Sequence, residues 1–367
     1  MPSVASVADA GERGGEGIGG QDREVRGTVG SALTRSAGPA AAAGVPVSKR
    51  SIVIVLATFN GARYLRDQVR SIQDQTVTNW RMLVRDDGSS DDSLRLIRDL
   101  AGSDPRIEVL GLLPRQRLGV VRNFNLLLEQ AFARGAEAVF LADQDDVWLP
   151  DKIERQLRLL DAAQCRHGSD VPLLIHSDLH VVDKDAEPFR RSFFQLRGLA
   201  HVDDDPLRGL MAQNFVTGAT VLVNRRLLGL ALPVPAEAVL HDWWLALCAA
   251  TWGRLEFDPV PTVLYRQHGS NLVGAGISSI PAALRRSRGN FRRGFGQADA
   301  LLRRVRSHDT ASPVRSAPDL LEGYVALRHR RRWSRLRSFW RAGVIRRGYG
   351  AWLLYQLWLL LERRQQA

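Results

Sequence analysis

The sequence predicts a doubly wound α/β domain with a mostly parallel sheet, followed by a basic helical extension. Three observations predict it. Short aliphatic runs alternate with helix-period segments from residue 52 to about residue 160. Three of those runs end abruptly in polar or acidic clusters. The charge is also partitioned. Residues 285–367 hold 20 Arg and 5 acids, net +15, whereas residues 1–284 hold 31 basic and 34 acidic residues, net −3.

The elements follow in chain order. Residues 1–48 are rich in Gly, Ala, Ser and Val without apolar periodicity, and read as a disordered leader or in part as a misassigned start. They contain no continuous apolar stretch of the kind a secretory signal needs. Ile52 to Leu56 is an unbroken aliphatic run, as expected of a strand buried on both faces. Leu65, Val69 and Ile72 then recur at helical spacing. Arg81 to Arg85 reads as a second strand, ending at Asp86-Asp87-Gly88. Asp91 and Asp92 suit a helix N-terminus before Leu94, Ile97 and Leu100. Ile107 to Leu110 is a third strand, and 119–134 a helix with Phe124, Leu127 and Leu128 inward. Ala138 to Ala142 is a fourth strand that runs into Asp143-Gln144-Asp145-Asp146. A helix with Ile153, Leu157 and Leu160 follows Pro150. Residues 173–178, 219–223 and 262–266 read as further strands, 185–210 as loop-rich, and His241 to about Thr251 as a helix. In such sheets, ligands bind at the carboxyl ends of the strands. Thr58-Phe59-Asn60, Asp86-Asp87 and the 143–146 cluster therefore converge on one edge.

Composition excludes several classes. Hydrophobic residues at 45% and charged residues at 25% describe a globular chain. Two cysteines make no disulfide framework, and no Cys/His spacing suggests zinc. No GxGxxG follows the first strand, and no P-loop or GxSxG motif is present. A phosphate-bearing ligand would thus be neutralised by a metal rather than cradled by glycines. Three carboxylates within four residues, at 143–146, repel one another unless a divalent cation is near, and hard oxygen ligands suit Mg²⁺ or Mn²⁺. Asp242 lies where a helix begins, which favours its ionised form, and such a carboxylate can act as general base toward a hydroxyl. Taken singly, Asp242 reads as a helix cap, Asp86-Asp87 as a turn, and His268 as an uninvolved loop histidine. Arg266 ends a strand where it could meet a phosphate.

Together these residues resemble the family 2 glycosyltransferases, inverting enzymes of the GT-A fold, and most closely their bacterial rhamnosyltransferase branch. The resemblance covers roughly residues 50–275. It rests on six motifs in order: LATFNGARYL at 56–65, RDDGSSDDS at 85–93, ADQDDVWLPDKI at 142–153, TGATVLVNR at 217–225, HDWWLAL at 241–247 and YRQHGSNLVGA at 265–275. It implies a GT-A type, Rossmann-like sheet over 49–280; it does not reach the Arg-rich stretch over 281–367, which reads as a helical extension from its own composition. It further implies that Phe59 stacks on the nucleobase, where the family often has Tyr, with Ala57 and Asn60 lining the same pocket. Asp87, with Asp86 beside it, would contact base or ribose. Asp143-Gln144-Asp145 resembles the DXD motif, with Asp145 as metal ligand and Asp143 near ribose, sugar or metal. His268 would approach metal and diphosphate, and Asp242 would be the catalytic base. His241 stands where many relatives carry Glu or Gly.

The implied activity is inverting, metal-dependent transfer of a sugar, with dTDP-rhamnose as the branch's donor, to a saccharide or lipid-linked acceptor in surface polysaccharide synthesis. Two other classes fit the residues less well. A nucleic-acid-binding protein is disfavoured because the excess charge lies outside the folded part and no DNA or RNA module is recognisable. An inactive GT-A-like scaffold is disfavoured because Asp143, Asp145 and Asp242 are all present. In the extension, Trp333, Leu336, Phe339 and Trp340 recur at helical spacing, and Tyr349 to Leu361 is mostly apolar. That run is too short to span a bilayer, which needs about 20 residues. It suits an interfacial helix at an anionic membrane surface, placing the protein in the cytoplasm at the inner face of the membrane. The bland alternative is that the extension packs on the catalytic domain or on a second subunit.

Overall fold

The computed structural model describes residues 50–111, 117–268, 280–308, 312–344, 346 and 349–362. The leader and positions 269–275 of the last motif lie outside the described residues. The first half alternates as the sequence predicts: β1 (Ile52–Thr58), α1 (Ala62–Gln73), β2 (Trp80–Asp86), α2 (Ser93–Ser103), β3 (Ile107–Val109), α3 (Val120–Ala133), β4 (Ala138–Ala142), then a two-residue β5 (Val147–Trp148) and α4 (Lys152–His167). The second half holds β6 (Leu173–Ser177), β7 (His180–Val182), β8 (Pro188–Arg190), α5 (Phe193–Arg197), α6 (Pro206–Leu210), β9 (Leu222–Asn224), α7 (Arg225–Ala231), α8 (His241–Trp252), β10 (Arg254–Asp258) and β11 (Val263–Arg266). The extension is α9 (Ile280–Ser307), α10 (Ala317–Val325), α11 (Arg332–Arg341) and α12 (Tyr349–Leu361).

Seven strands form the main sheet in the order β10-β6-β9-β4-β1-β2-β3. All pairings are parallel except those of β9, which runs antiparallel to β4 and β6. β5, β11, β7 and β8 form a second, four-stranded sheet. The central strands show why a continuous aliphatic run was needed. Val53 and Val55 of β1 point into one core, while Ile52, Ile54 and Leu56 point into the other. β4 divides likewise, with Val139 and Leu141 on one side and Ala138 and Phe140 on the other. Residues of α1, α2 and α4 line the second core, and residues of α3, α7 and α8 the first.

The register levels the strand ends. Thr58 pairs with Asp86, and Leu56 with Ala142, so the residues that follow β1, β2 and β4 leave the sheet side by side. The 219–223 strand needs correction. Gly218–Thr220 is a single 3₁₀ turn, and the strand begins only at Leu222. Thr217 accounts for it, its carbonyl accepting from both the backbone N–H and the hydroxyl of Thr220. Such local side-chain bonds compete with a strand ladder. The loop-rich 185–210 stretch contains β8, α5 and α6, all too short for a period to show.

The extension packs on the sheet-bearing part. Phe291, Phe295 and Leu301 of α9, Leu321 and Tyr324 of α10, Phe339 of α11 and Tyr355 and Leu359 of α12 join the core that holds Trp244 and Leu245. Gln297 Oε1 accepts from the Val239 N–H at 2.9 Å, and Arg304 donates to the Leu230 carbonyl at 3.0 Å. Every residue of α8 is buried as a result, which explains its apolar character all round. No helix among the described residues is long and apolar enough to cross a membrane.

Candidate functional site

The loop after β1 is shaped by its neighbours. Asn60 adopts a left-handed conformation (φ 50°), which Asn tolerates better than most residues. Its Oδ1 accepts from the Ser90 N–H at 2.8 Å, tying this loop to the one after β2. Gln144, in the loop after β4, crosses over to the same place. Its Oε1 accepts from Thr58 Oγ1 and from the Phe59 N–H, both at 2.7 Å, and its Nε2 donates to the Phe59 carbonyl at 3.1 Å. A Cβ at Gly61 would fall 2.3 Å from Gln144 Oε1, so the close approach requires glycine there. Gln144→Ala leaves the Phe59 N–H without its acceptor, and a buried orphan of that kind costs about 1–3 kcal/mol. The expected result is a donor KM raised about tenfold with kcat less affected, measured by steady-state kinetics.

Phe59 is half-buried, with the Arg117 guanidinium 3.9 Å from its ring centroid. Ala57 is half-buried beside it on β1. The two aspartates at the end of β2 differ. Asp86 caps its own turn, accepting from the Gly88 and Ser89 backbone N–H groups at 3.0 and 2.9 Å. Asp87 is buried, paired with Arg85 at 2.8 Å, and accepts from the Leu118 and Gly119 N–H groups at 2.8 Å each. It therefore holds the entrance of α3, which carries Arg117 just before it, against the end of β2.

The acidic loop after β4 gathers unequal carboxylates. Asp145 lies 2.9 Å from His268 Nε2. Asp143 is pushed up to about 7, chiefly by desolvation and further by the charges of Asp145 and Asp242. Asp146 is fully buried, and its carboxyl is raised well above the ordinary range by desolvation first and then by Asp145 and Asp143. Its Oδ1 accepts the Arg266 backbone N–H at 3.2 Å. Arg266 turns its guanidinium to Asp67, at 3.0 Å, and over the Tyr64 ring at 4.8 Å. Tyr64 also stacks on His268, centroids 4.7 Å apart. Tyr64 thus stands between the two residues that the sequence assigned to the diphosphate.

Among the described residues there is no ready-made group of three metal ligands. The donor set nonetheless fits a hard divalent cation. Asp143 and Asp145 crowd together with an imidazole in contact, and the like-charge penalty on Asp143 is the one a cation would relieve.

Asp242 lies in the first turn of α8. Its Oδ2 accepts from the Gly218 N–H at 2.9 Å, and its Oδ1 from Asn214 Nδ2 at 3.2 Å and the Trp243 N–H at 2.6 Å. Burial raises it to about 6 despite those bonds. His241, beside it, stacks on Phe124 with centroids 3.7 Å apart and is depressed to about 3 by desolvation, so it is neutral. A Cβ at Gly218 would lie 3.3 Å from His241 Nε2 and 3.4 Å from Asp242 Oδ2. Gly218→Ala should therefore displace the carboxylate and cut kcat about tenfold at little cost to the overall fold. A kinetic and thermal-melt comparison with the parent chain checks this.

The structure brings Ala57, Phe59, Asn60, Asp86, Asp143 and Asp145 to one sheet edge, with His268 against Asp145. It turns Asp87 and Arg266 to protein partners. Sequence reasoning missed Arg117, Tyr64, Gln144 and Asn214. Gln144 sits inside the acidic motif and Tyr64 inside the motif at 56–65, and both were legible there; Arg117 and Asn214 carry no local signal.

Residues 53–168 match the profile of the family described as Glycosyl transferase family 2. The chain is 26% identical over 231 residues to the dTDP-rhamnosyl transferase RfbG of Shigella flexneri, covering 61% of this chain and 75% of RfbG. It is 31% identical over 109 residues to WfgD of Escherichia coli, covering 30% of this chain and 40% of WfgD. WfgD is described as a UDP-Glc:α-D-GlcNAc-diphosphoundecaprenol β-1,3-glucosyltransferase. Among solved structures, this chain shares its fold with the mannosyltransferase PcManGT of Pyrobaculum calidifontis, in complex with GDP-Man and Mn²⁺. That likeness has a TM-score of 0.50 at 15% identity, over 86% of this chain and 87% of that one.

Proposed function

Because residues 53–168 match the family 2 glycosyltransferase profile and the chain shares the fold of a solved mannosyltransferase, we propose that it is a glycosyltransferase of that family and transfers rhamnose from a nucleoside-diphosphate donor, dTDP-rhamnose, to a saccharide hydroxyl with inversion. The rhamnosyl transferase named above supports the sugar. The single observation that supports the mechanism is that two neighbouring carboxylates have different partners. Asp145 is engaged with His268 at 2.9 Å, while Asp242 is held by backbone and amide donors.

In this reading Phe59 and Arg117 flank the nucleobase, and Ala57, Asn60 and the Asp86-Asp87 turn line the nucleoside side. Asp145, Asp143 and His268 hold Mg²⁺ or Mn²⁺. The cation, when bound, supplies positive charge against the diphosphate leaving group. Arg266, paired with Asp67, backs the Tyr64 ring that stacks on His268. Asp242 takes the proton from the acceptor hydroxyl. The hydroxyl oxygen bonds to the anomeric carbon from the face opposite the departing diphosphate oxygen, so the anomeric configuration inverts. A carboxyl raised to about 6 is largely ionised at neutral pH yet basic enough for that role.

The basic extension, residues 281–367, supports a place at the cytoplasmic face of an anionic membrane. The test is donor hydrolysis and transfer across nucleotide sugars with Mn²⁺ or Mg²⁺, then with a chelator, and NMR of the product's anomeric centre. Metal-dependent turnover of dTDP-rhamnose to an inverted product is expected. Turnover of a different donor replaces the sugar assignment, and no turnover with any donor favours the scaffold.

A further inference from the structure

The extension has one face buried in the core and one left bare. On the bare side, Trp333 and Trp340 of α11 are 77% and 55% exposed, and Leu353, Leu357 and Leu361 of α12 are 44%, 44% and 49% exposed. These five are half of the ten exposed large apolar side chains among the described residues, so the exposure is concentrated here. The three leucines recur every four residues and share one side of α12. Trp340 meets Trp352 edge-on, centroids 5.0 Å apart, which joins the two helices' apolar residues into one ridge. Arg330, Arg331, Arg332, Arg337 and Arg341 are exposed around the tryptophans. No acidic residue occurs between Glu322 and Glu362.

Exposed Trp and Leu, ringed by Arg with no acidic residue in either helix, fit one chemistry: an anionic lipid surface. The indoles sit at headgroup level, the leucines enter the acyl boundary and the guanidinium groups meet phosphates. α12 has 13 residues, about 20 Å at 1.5 Å per residue, against a hydrocarbon core of about 30 Å. It can lie in the interface and cannot cross it.

The segments flanking these helices grip the wall that holds Asp242. Arg346, between α11 and α12, donates to the Ala212 carbonyl at 3.3 Å, Arg208 donates to the carbonyl of Ala342, just past α11, and Tyr324 of α10, hydrogen-bonded to Tyr355 of α12, donates its hydroxyl to the Met211 carbonyl at 3.0 Å. Two residues beyond Ala212, Asn214 bonds Asp242. We infer that α11 and α12 form a platform that seats on an anionic bilayer and couples it, through residues 208–214, to the acceptor side of the site. The acceptor is then a saccharide carried on a membrane lipid. That last clause rests on the transfer reading above; the platform does not.

The test is flotation of the full chain with vesicles of phosphatidylglycerol and phosphatidylcholine, or of phosphatidylcholine alone, at 0.1 M salt. The comparison is a W333S/W340S/L357Q variant, whose changed side chains lie outside the core. The parent should float only with the anionic vesicles and be released by high salt. The variant should bind at least tenfold more weakly while its melting temperature and donor hydrolysis stay those of the parent. The parent should also transfer sugar faster to a polyprenyl-diphosphate-linked monosaccharide in those vesicles than the variant does. Failure of the parent to float, equal flotation of the variant, or a parent dimer that the variant lacks would overturn the platform. If the parent floats but turns over no donor, the transfer reading fails and the platform stands.

Discussion

Asp242→Asn should lower kcat for sugar transfer by about 10²–10⁴-fold, the range for a lost general base, with donor KM nearly unchanged. The pH profile separates this role from a structural one. The parent's kcat should fall tenfold per unit below about pH 6, where Asp242 takes up its proton, and the variant should lack that limb. Stability carries the opposite sign. The folded-state value is raised from 3.8 to about 6, so the folded chain binds more protons than the unfolded chain between those values. The burial penalty is therefore absent below about pH 4, grows as pH rises to about 6, and is constant above. Two units correspond to about 3 kcal/mol as an upper bound. Asn does not ionise, but its amide nitrogen cannot accept the N–H bonds that one carboxylate oxygen takes, so relief of the burial penalty is offset and the variant should melt within a few degrees of the parent at pH 8. A variant that is inactive and also unfolds early would mean that the Gly218, Asn214 and Trp243 bonds matter for the fold rather than for proton transfer.

Asp145→Asn is expected to abolish cation-dependent donor binding, with transfer reduced by 10³-fold or more, in line with an electrostatic contribution of about 4 kcal/mol. Thermal melting reads the site without any turnover. A ligand at a hundred times its Kd stabilises the chain by about 2.7 kcal/mol. Mn²⁺ should raise the parent's Tm by several degrees and leave the variant's unchanged. Without metal the order reverses. Asp145 is one of the two charges that push Asp143 up, so its neutralisation should stabilise the metal-free chain above about pH 7. A parent Tm indifferent to Mn²⁺ and Mg²⁺ would remove the metal from the mechanism.

The sheet edge was legible from sequence because aliphatic run, polar stop and helix-period segment repeat in order, and parallel pairing then levels the stops. β1, β2 and β4 follow that rule. What escaped the sequence lacks a period or a neighbour. β5, β7 and β8 are two or three residues long. β10 alternates Arg, Leu, Glu, Phe and Asp at the sheet's edge, and gives no aliphatic run to read. Thr217 and Thr220 close a turn by side-chain bonds where β-branched residues suggested a strand. At the site, residue types told which carboxylates could act but not which were already engaged. Asp87 and Arg266 sit at strand ends, as nucleotide contacts would, yet face Arg85 and Asp67. Asn214 and Arg117 come from other elements, and only the fold brings them in. The basic extension pointed to a membrane, and its packing on α8 was the less favoured alternative. The buried and the bare faces show that packing and an outward surface belong to the same helices.

The burial of α8 on all sides has a consequence for genetics. Asp242 sits at the tip of a post with Trp243 Nε1 fastened to the Leu210 carbonyl and Trp244 Nε1 to the Ala231 carbonyl. The helices pressing on that post lie beyond the reach of the family profile, which ends at residue 168. If Asp242 is the base as proposed, substitutions in α9 or α10 should surface as acceptor-side defects with donor binding intact. In a screen for lost transfer, hits in this region would then mark the seating of Asp242, and distance from the strand edge would be a poor guide to which residues matter.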